Sequence, residues 1–246
     1  MNKRRVALIT GSSSGIGEAI ARRFAAEGML VVVNSATSTE AGEKLAAELP
    51  DAIYVQGDVA NAEDVHRLVE AVAAAYGRLD VLVNNAGTTR YIDHADLEAA
   101  DVDAWRAIFD VNVFGTWQVT TAAVPHLRAS GSGVIVNISS LAGERAVGSS
   151  IPYAVSKAAV NHMTRLLAAA LGPEIRVNAI APGHIETPWY DRAPESLRDS
   201  DDWTETHTPL RRVGTPHDVA EVALALVMSK YVTGDVVTVD GGLHLL

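Results

Sequence analysis

Cysteine is missing from all 246 residues, which excludes disulfides, a thiolate nucleophile and any cysteine-ligated metal. Positive charge is scarce: 20 Lys and Arg stand against 30 Asp and Glu, a net charge of −10, whereas phosphate-backbone binding needs clustered bases. The one basic run, Lys3-Arg4-Arg5, reads as a short solvated lead into the first strand, so nucleic acid is not an expected partner. No apolar stretch is long enough to span a membrane, and no secretory pattern precedes the first strand. Linkers, short repeats and low-complexity tracts are also absent. These absences predict a cytoplasmic protein with a single domain over residues 1–246. With 48% hydrophobic residues, a large core is expected and disorder is not.

What is present alternates. Short apolar runs at 6–10, 30–34, 53–56, 80–83, 134–138, 175–180 and 235–239 read as buried strands. Helical patterns lie between them, at about 16–28, 40–49, 65–76, 104–127, 153–171 and 215–228. This predicts an α/β fold, a doubly wound parallel sheet of seven strands with helices on both faces. Ligands then belong beyond the carboxyl ends of the strands. Thr10–Gly17, Asn84–Gly87, Ser139-Ser140 and Pro182–Thr187 all directly follow strands, so they converge on one sheet edge. Residues 188–212 are polar and aperiodic, and a substrate loop over about 184–212 is expected there.

The first strand runs into Gly11-Ser-Ser-Ser-Gly15-Ile-Gly17 and then a helix. Strand, glycine-rich turn and helix let backbone approach a pyrophosphate, with the helix N-terminus supplying N–H groups. The alternative is a tight turn without a ligand. At the tip of the second strand, Asn34-Ser35-Ala36-Thr37-Ser38 carries no acid. A carboxylate there would bond ribose hydroxyls and repel a 2′-phosphate, so NADP(H) is favoured over NAD(H). No Lys or Arg reinforces this, and Ser14 stands where a basic residue would have. Asp58-Val59 follows the third strand, either to meet an adenine amino group or to serve as a helix-start acid beside Asn61. Asn112, inside a predicted helix, either faces solvent or marks a local break.

Tyr153 and Lys157 are four residues apart, about 40° around a helix and so on one face. Val155, Ala158, Ala159, His162 and Leu166 form a stripe on the other side, expected to pack on the core. A phenol titrates near pH 10 unaided, and a neighbouring ammonium favours its ionised form. The pair is a candidate proton donor–acceptor, or else an ordinary surface pair.

Taken in order and with their separations, Thr10–Gly17, Asp58-Val59, Asn84-Asn-Ala-Gly87, Asn112, Ile138-Ser-Ser140, Tyr153-x-x-x-Lys157, Pro182-Gly183 with Thr187, and Asp240-Gly-Gly242 resemble the short-chain dehydrogenase/reductase family over essentially the whole chain. The branch with 3-oxoacyl-ACP reductases is the nearest in flavour. The resemblance implies a Rossmann fold, an NAD(P)-dependent oxidoreductase acting on a secondary alcohol or ketone, and a tetrad of Asn112, Ser140, Tyr153 and Lys157. Ser140 is preferred to Ser139 because it lies thirteen residues before Tyr153, the family's spacing. In that scheme Tyr153 exchanges the proton, Ser140 bonds the same oxygen, Lys157 lowers the phenol's pKa and holds the nicotinamide ribose, and Asn112 holds a helix kink and a proton-relay water. Cofactor contacts would come from Gly11, Ser13, Ser14, Gly15, Ile16 and Gly17; from Asn34, Ser35, Ala36, Thr37, Asp58 and Val59; and from Asn85, Ala86, Gly87, Pro182, Gly183, Ile185 and Thr187, besides Tyr153 and Lys157. A homotetramer (or dimer) is implied, with the apolar tail Leu243–Leu246 buried at a contact.

Two departures stand out: the acid-free second strand tip, and a Met228–Gly234 connection shorter than usual. His184 and His207 read as surface or hydrogen-bonded residues, with no metal expected, while Trp189, Tyr190 and Trp203 suit a substrate pocket or a subunit contact equally. A non-catalytic cofactor-binding regulator or scaffold is the alternative from another class, though its mark, a lost tetrad residue, is not seen. Dehydration or epimerisation on the same fold is a third reading.

Overall fold

The computed structural model describes residues 4–193 and 200–246; Lys3 of the basic run and 194–199 of the expected substrate loop lie outside the described residues. The strands are β1 (Val6–Ile9), β2 (Leu30–Ser35), β3 (Ile53–Gln56), β4 (Val81–Asn84), β5 (Gly133–Ile138), β6 (Ile175–Pro182) and β7 (Val236–Val239). They form one seven-stranded sheet in the order β3-β2-β1-β4-β5-β6-β7, and every neighbouring pair is parallel. The helices are α1 (Gly15–Ala26), α2 (Thr39–Glu48), α3 (Ala62–Tyr76), α4 (Val102–Phe109), α5 (Thr116–Ala129), α6 (Ile151–Leu171), α7 (Ser200–His207) and α8 (Pro216–Met228). The chain reverses its direction of travel between β1 and β4, which opens a crevice at their carboxyl ends.

Strands buried on both faces need apolar residues at consecutive positions, and the period of two sends alternate residues to opposite layers. In β1, Ala7 and Ile9 join the layer of Phe24 and Val219, from α1 and α8. Val6 and Leu8 join the layer of Leu68, Val119 and Leu167, from α3, α5 and α6. Burying each such large side chain contributes about 1.5–3 kcal/mol. The helix starts are specified locally. Asn61 accepts from the N–H groups of Glu63 and Asp64 to cap α3. Thr215 and Asp218 form a reciprocal box at α8, where Arg212 bonds both Asp218 oxygens at 2.7 Å and holds that carboxyl well below its ordinary range. No helix among the described residues is long and apolar enough to cross a membrane.

Two expectations change. The helix predicted over 104–127 is α4, then a wide π-type turn at Asp110–Gly115, then α5. Asn112 does not face solvent: it is 1% exposed. Its Oδ1 accepts from Thr88 N at 2.8 Å, and its Nδ2 donates to Thr88 O and to Ser156 Oγ, each at 3.0 Å. An asparagine that binds a neighbouring loop in this way makes up for the irregular backbone.

The second change concerns α6. The stripe of Val155 and Leu166 does not pack on the core: these two residues are 42% and 59% exposed. The buried face instead carries Ser156, Lys157, Asn161 and Thr164 among Val160, Leu167 and Ala168. Its polar groups meet polar partners left at the strand ends, Thr164 Oγ1 accepting from Asn137 Nδ2 at 2.8 Å and Lys157 Nζ donating to Ile138 O at 2.9 Å. Buried polar atoms require such partners, so the polar side turns inward and the apolar stripe outward.

Candidate active site

A cleft of about 950 Å³ lies along the carboxyl edge of the sheet. Its floor at one end is the glycine turn. Thr10 Oγ1 accepts from Asn85 N and Ala86 N at 3.0 and 3.1 Å, while Asn85 Nδ2 donates to Thr10 O and Gly11 O at 2.9 and 2.8 Å. Gly11 has φ +59°, and a Cβ there would fall 2.8 Å from Ala86 Cα. A Cβ on Gly17 would meet Asn85 Nδ2 at 2.5 Å. Both positions therefore require glycine, for backbone conformation in the first and for close approach in both.

Ser14, Gly15 and Ile16 line the cleft, as do Gly11, Asn85, Ala86 and Gly87, but Ser13 and Gly17 are not among the lining residues. Gly17 is buried beneath the turn instead. Asn34 lines the cleft, yet its side chain is committed elsewhere: Oδ1 accepts from Gly11 N at 3.2 Å and Nδ2 donates to Val55 O and Gly57 O at 3.1 and 3.0 Å. Asn34 and Asn85 thus hold the turn with their amides, and both still line the cleft. Ser35, Ala36, Thr37, Gly57, Asp58 and Val59 continue the wall. Ser35 Oγ lies 2.9 Å from Tyr54 Oη, and Asp58 Oδ1 accepts from Ala60 N at 2.9 Å. Pro182, Gly183, Ile185 and Thr187 form the facing wall beyond β6.

At the other end Tyr153 sits in the first turn of α6, which Ser150 caps. The Ser140 hydroxyl lies close enough to the phenol to favour its ionised form and accepts from Ala142 N at 3.2 Å, whereas Ser139 Oγ turns away to Lys157 O at 3.2 Å. Lys157 Nζ lies 5.7 Å from the centre of the Tyr153 ring. A Cβ on Gly87 would sit 3.5 Å from Asn112 Oδ1 and 3.6 Å from Lys157 Nζ, so the four expected residues converge. Their electrostatics depart from expectation. Burial pushes the phenol up to about 12, against the opposing Ser140 bond and with the help of nearby Tyr91. Burial also pushes the lysine down to about 8. Desolvation dominates both groups, and it weakens the very charge that was expected to lower the phenol's pKa.

A family described as "Enoyl-(Acyl carrier protein) reductase" matches residues 11–244. A Streptomyces violaceoruber protein assigned as ketoacyl reductase 2 of the granaticin polyketide synthase is 59% identical over 241 residues, covering 98% of this chain and 96% of its own. The 3-oxoacyl-(acyl-carrier-protein) reductase of Thermotoga maritima is 42% identical over 246 residues, covering 97% of both. The chain is a short-chain dehydrogenase/reductase. It is an NAD(P)-dependent oxidoreductase working between ketone and secondary alcohol, and the regulator-or-scaffold alternative finds no support among relatives named as reductases. Among solved structures, this reductase resembles a gluconate 5-dehydrogenase of Burkholderia cenocepacia in complex with NADP and tartrate, with TM-score 0.89, 34% identity and coverage of 99% and 96%.

Aromatic residues of the expected substrate loop reach the cleft of this reductase. Trp189, Tyr190 and Trp203 line the cleft, and Trp189 lies 5.9 Å from the Tyr153 ring at 49°. His184 Nδ1 is 2.9 Å from Thr204 Oγ1 and its ring is 4.6 Å from Tyr190, while His207 stacks on Trp203 at 4.6 Å. Tyr91 and Arg145 also line the cleft and were not anticipated. Tyr91 fixes Trp189 by donating from its hydroxyl to the tryptophan's carbonyl at 3.1 Å. The strand-end rule that singled out Asn84–Gly87, carried four residues further, would have found it. Nothing in spacing marks Arg145.

Proposed function

We propose that this chain is an NADPH-dependent ketoreductase in which Tyr153 delivers the proton to the ketone oxygen. The observation that carries this reading is that Tyr153, Ser140 and Lys157 share one cleft with a glycine turn, with Asn112 buried behind Gly87. The residues present fit a dinucleotide. Ser14 makes no side-chain capping bond at α1, so the first-turn N–H groups of a twelve-residue helix remain available to a pyrophosphate. Gly11, Ser14, Gly15 and Ile16 would hold it, with Ser13 and Gly17 shaping the turn. Asp58 and Val59 would meet the adenine, Asn85 to Gly87 the ribose side, and Pro182, Gly183, Ile185 and Thr187 the nicotinamide. At the β2 tip, no acid opposes a 2′-phosphate, and Ser38 at the start of α2 forms no capping bond; these two features favour NADP(H).

When bound, the cofactor supplies the hydride, and the protein supplies orientation and the proton. A phenol that stays protonated suits donation to a ketone oxygen. Ser140 would donate its one hydroxyl proton to the same oxygen and hold it in place. Lys157 is anchored through Ile138 O, and its remaining protons would hold the nicotinamide ribose. Asn112 holds the wide turn with a fully engaged amide, so its role is positional. The substrate is a small carbonyl or alcohol compound. A second copy of the chain would cover the outward stripe, where Phe114, Trp117 and Leu166 are 53%, 48% and 59% exposed, to give a homotetramer or dimer. A monomer in sedimentation at micromolar concentration would remove that part. The test of function is nicotinamide absorbance with both cofactors across a ketone and alcohol panel. Turnover with NADPH is expected, and cofactor binding with no turnover on any ketone would refute the reading.

A further inference from the structure

The connection from β5 to α6 carries Ser140 to Tyr153, and Gly148 within it packs against the Tyr153 ring, an added Cβ there lying 3.5 Å from Cδ1. Arg145 belongs to the same connection and lines the cleft together with Val147, Leu243 and Leu246. Its guanidinium is not open to a ligand: Nη1 donates to the carbonyl oxygen of His244 and Nη2 to that of Leu246. The tail is gripped from its other end too. Asp240 accepts from Gly242 N at 2.9 Å and from His244 N at 2.6 Å, and it lies 2.9 Å from His244 Nδ1. Backbone bonds from Leu245 N to Gly242 O and from Leu246 N to Leu243 O close the tail into a short turn.

Further polar groups near this wall are also engaged. The Tyr91 hydroxyl is on Trp189 O, His184 is on Thr204, and Ser149 Oγ meets Thr89 Oγ1. What faces the substrate is therefore Trp189, Val147 and the tail leucines, plus the Tyr153–Ser140 pair. A carboxylate or phosphate on the substrate would meet no free cation among the described residues of this wall, or would have to pull Arg145 off two carbonyls that then lose their partner.

We infer that Arg145 is a clamp that turns the tail into a wall of the substrate subsite, so that the enzyme takes neutral, apolar ketones and rejects anionic ones. This rests on the ketoreductase reading above and adds the substrate class. Arg145 acts through Leu243 and Leu246 and is a positioning residue.

The test pairs two ketones of one shape, 4-phenyl-2-butanone and its ring carboxylate 4-(3-oxobutyl)benzoate. Wild-type kcat/KM is expected to favour the neutral ketone by about tenfold or more, because an unpaired charge is costly to bury. Arg145→Ala should raise KM for the neutral ketone about fivefold with kcat within about twofold, the mark of lost uniform binding, and should not worsen the carboxylate. Leu246→Ala, which leaves the guanidinium in place, should reproduce that KM effect. Without cofactor or substrate, hydrogen exchange at the His244 and Leu246 amides should quicken about tenfold in Arg145→Ala. A wild-type preference for the carboxylate that Arg145→Ala abolishes would make Arg145 an anion receptor and overturn the clamp, as would equal tail exchange in both proteins. If wild type turned over neither ketone with either cofactor, the ketoreductase reading would fall, and the exchange comparison would decide the clamp alone.

Discussion

Around the glycine turn, Thr10, Asn34 and Asn85 direct their side chains at backbone groups, and what they leave facing the cleft is chiefly main chain. Around Tyr153 the wall is made of side chains, Trp189, Tyr91, Trp203 and the tail leucines, drawn from the short α7 and from segments outside the sheet, and joined by contacts such as Tyr91 to Trp189 O. A dinucleotide offers the same pyrophosphate to every enzyme that uses it, and backbone N–H groups suffice to bind it. Ketones differ in shape, and shape is met by side chains that substitution can change without disturbing a strand.

The difference predicts how each end fails. Tyr153→Phe should lower kcat by about 10²–10⁴ while titration with NADPH shows binding intact; retained turnover would take the proton step away from Tyr153. At the other end Gly17→Val drives a branched side chain into Asn85 and should cost about 1–3 kcal/mol of stability, with cofactor affinity falling in parallel. A denaturation midpoint equal to wild type would show that the turn is not as tightly held as its bonds imply. Ala36→Asp places an acid at the β2 tip and should move the NADPH-to-NADH ratio of kcat/KM towards NADH without changing the ketone preference; an unchanged ratio would count against 2′-phosphate binding at that tip.

Lys157 gives a pH signature of its own. Folding lowers its pKa from 10.5 to about 8. Below pH 8 both states are protonated and the folded one bears the buried charge. Between 8 and 10.5 the unfolded chain holds the extra proton, so stability rises with pH across that window. Tyr153, raised from 10.0 to about 12, works oppositely: the unfolded chain loses its proton first, and stability falls from pH 10 upward. In cofactor-free protein, denaturant midpoints should rise from pH 8 towards 10, and Lys157→Met should flatten that rise. The smallest effect belongs to neither end of the cleft. Thr215→Ala removes the α8 cap and should cost about 1 kcal/mol with kinetics unchanged.

The sheet was legible because continuous apolar runs have one economical reading in a βαβ chain, and the converging strand ends followed from it. The four candidate positions were legible from the family resemblance, but their electrostatics were not: proximity of Lys157 to Tyr153 could be read from spacing, whereas the burial that raises the phenol's pKa and lowers the lysine's depends on everything packed around them. The inward face of α6 was misread for a related reason. Its apolar stripe looked like a core face until Asn137, Asn112 and Ile138 O appeared opposite it, each needing a polar partner. Tail and aromatic wall were least legible, since Arg145 meets Leu246 across 101 positions of sequence with no periodicity to announce it.

The wide turn at Asp110–Gly115 also acts as a phase shift. An α-helix advances about 100° per residue, and the extra residue accommodated here sets the azimuth at which α5 resumes. Val119, Ala123 and Leu127, which are fully buried, point inward only because of that offset. Deleting one residue from the turn would let α4 and α5 run on as a regular helix with those three side chains still in their layer, whereas winding the turn into regular helix at unchanged length would rotate them by about 100° out of it. For this helix the irregular stretch is the condition of a buried face downstream.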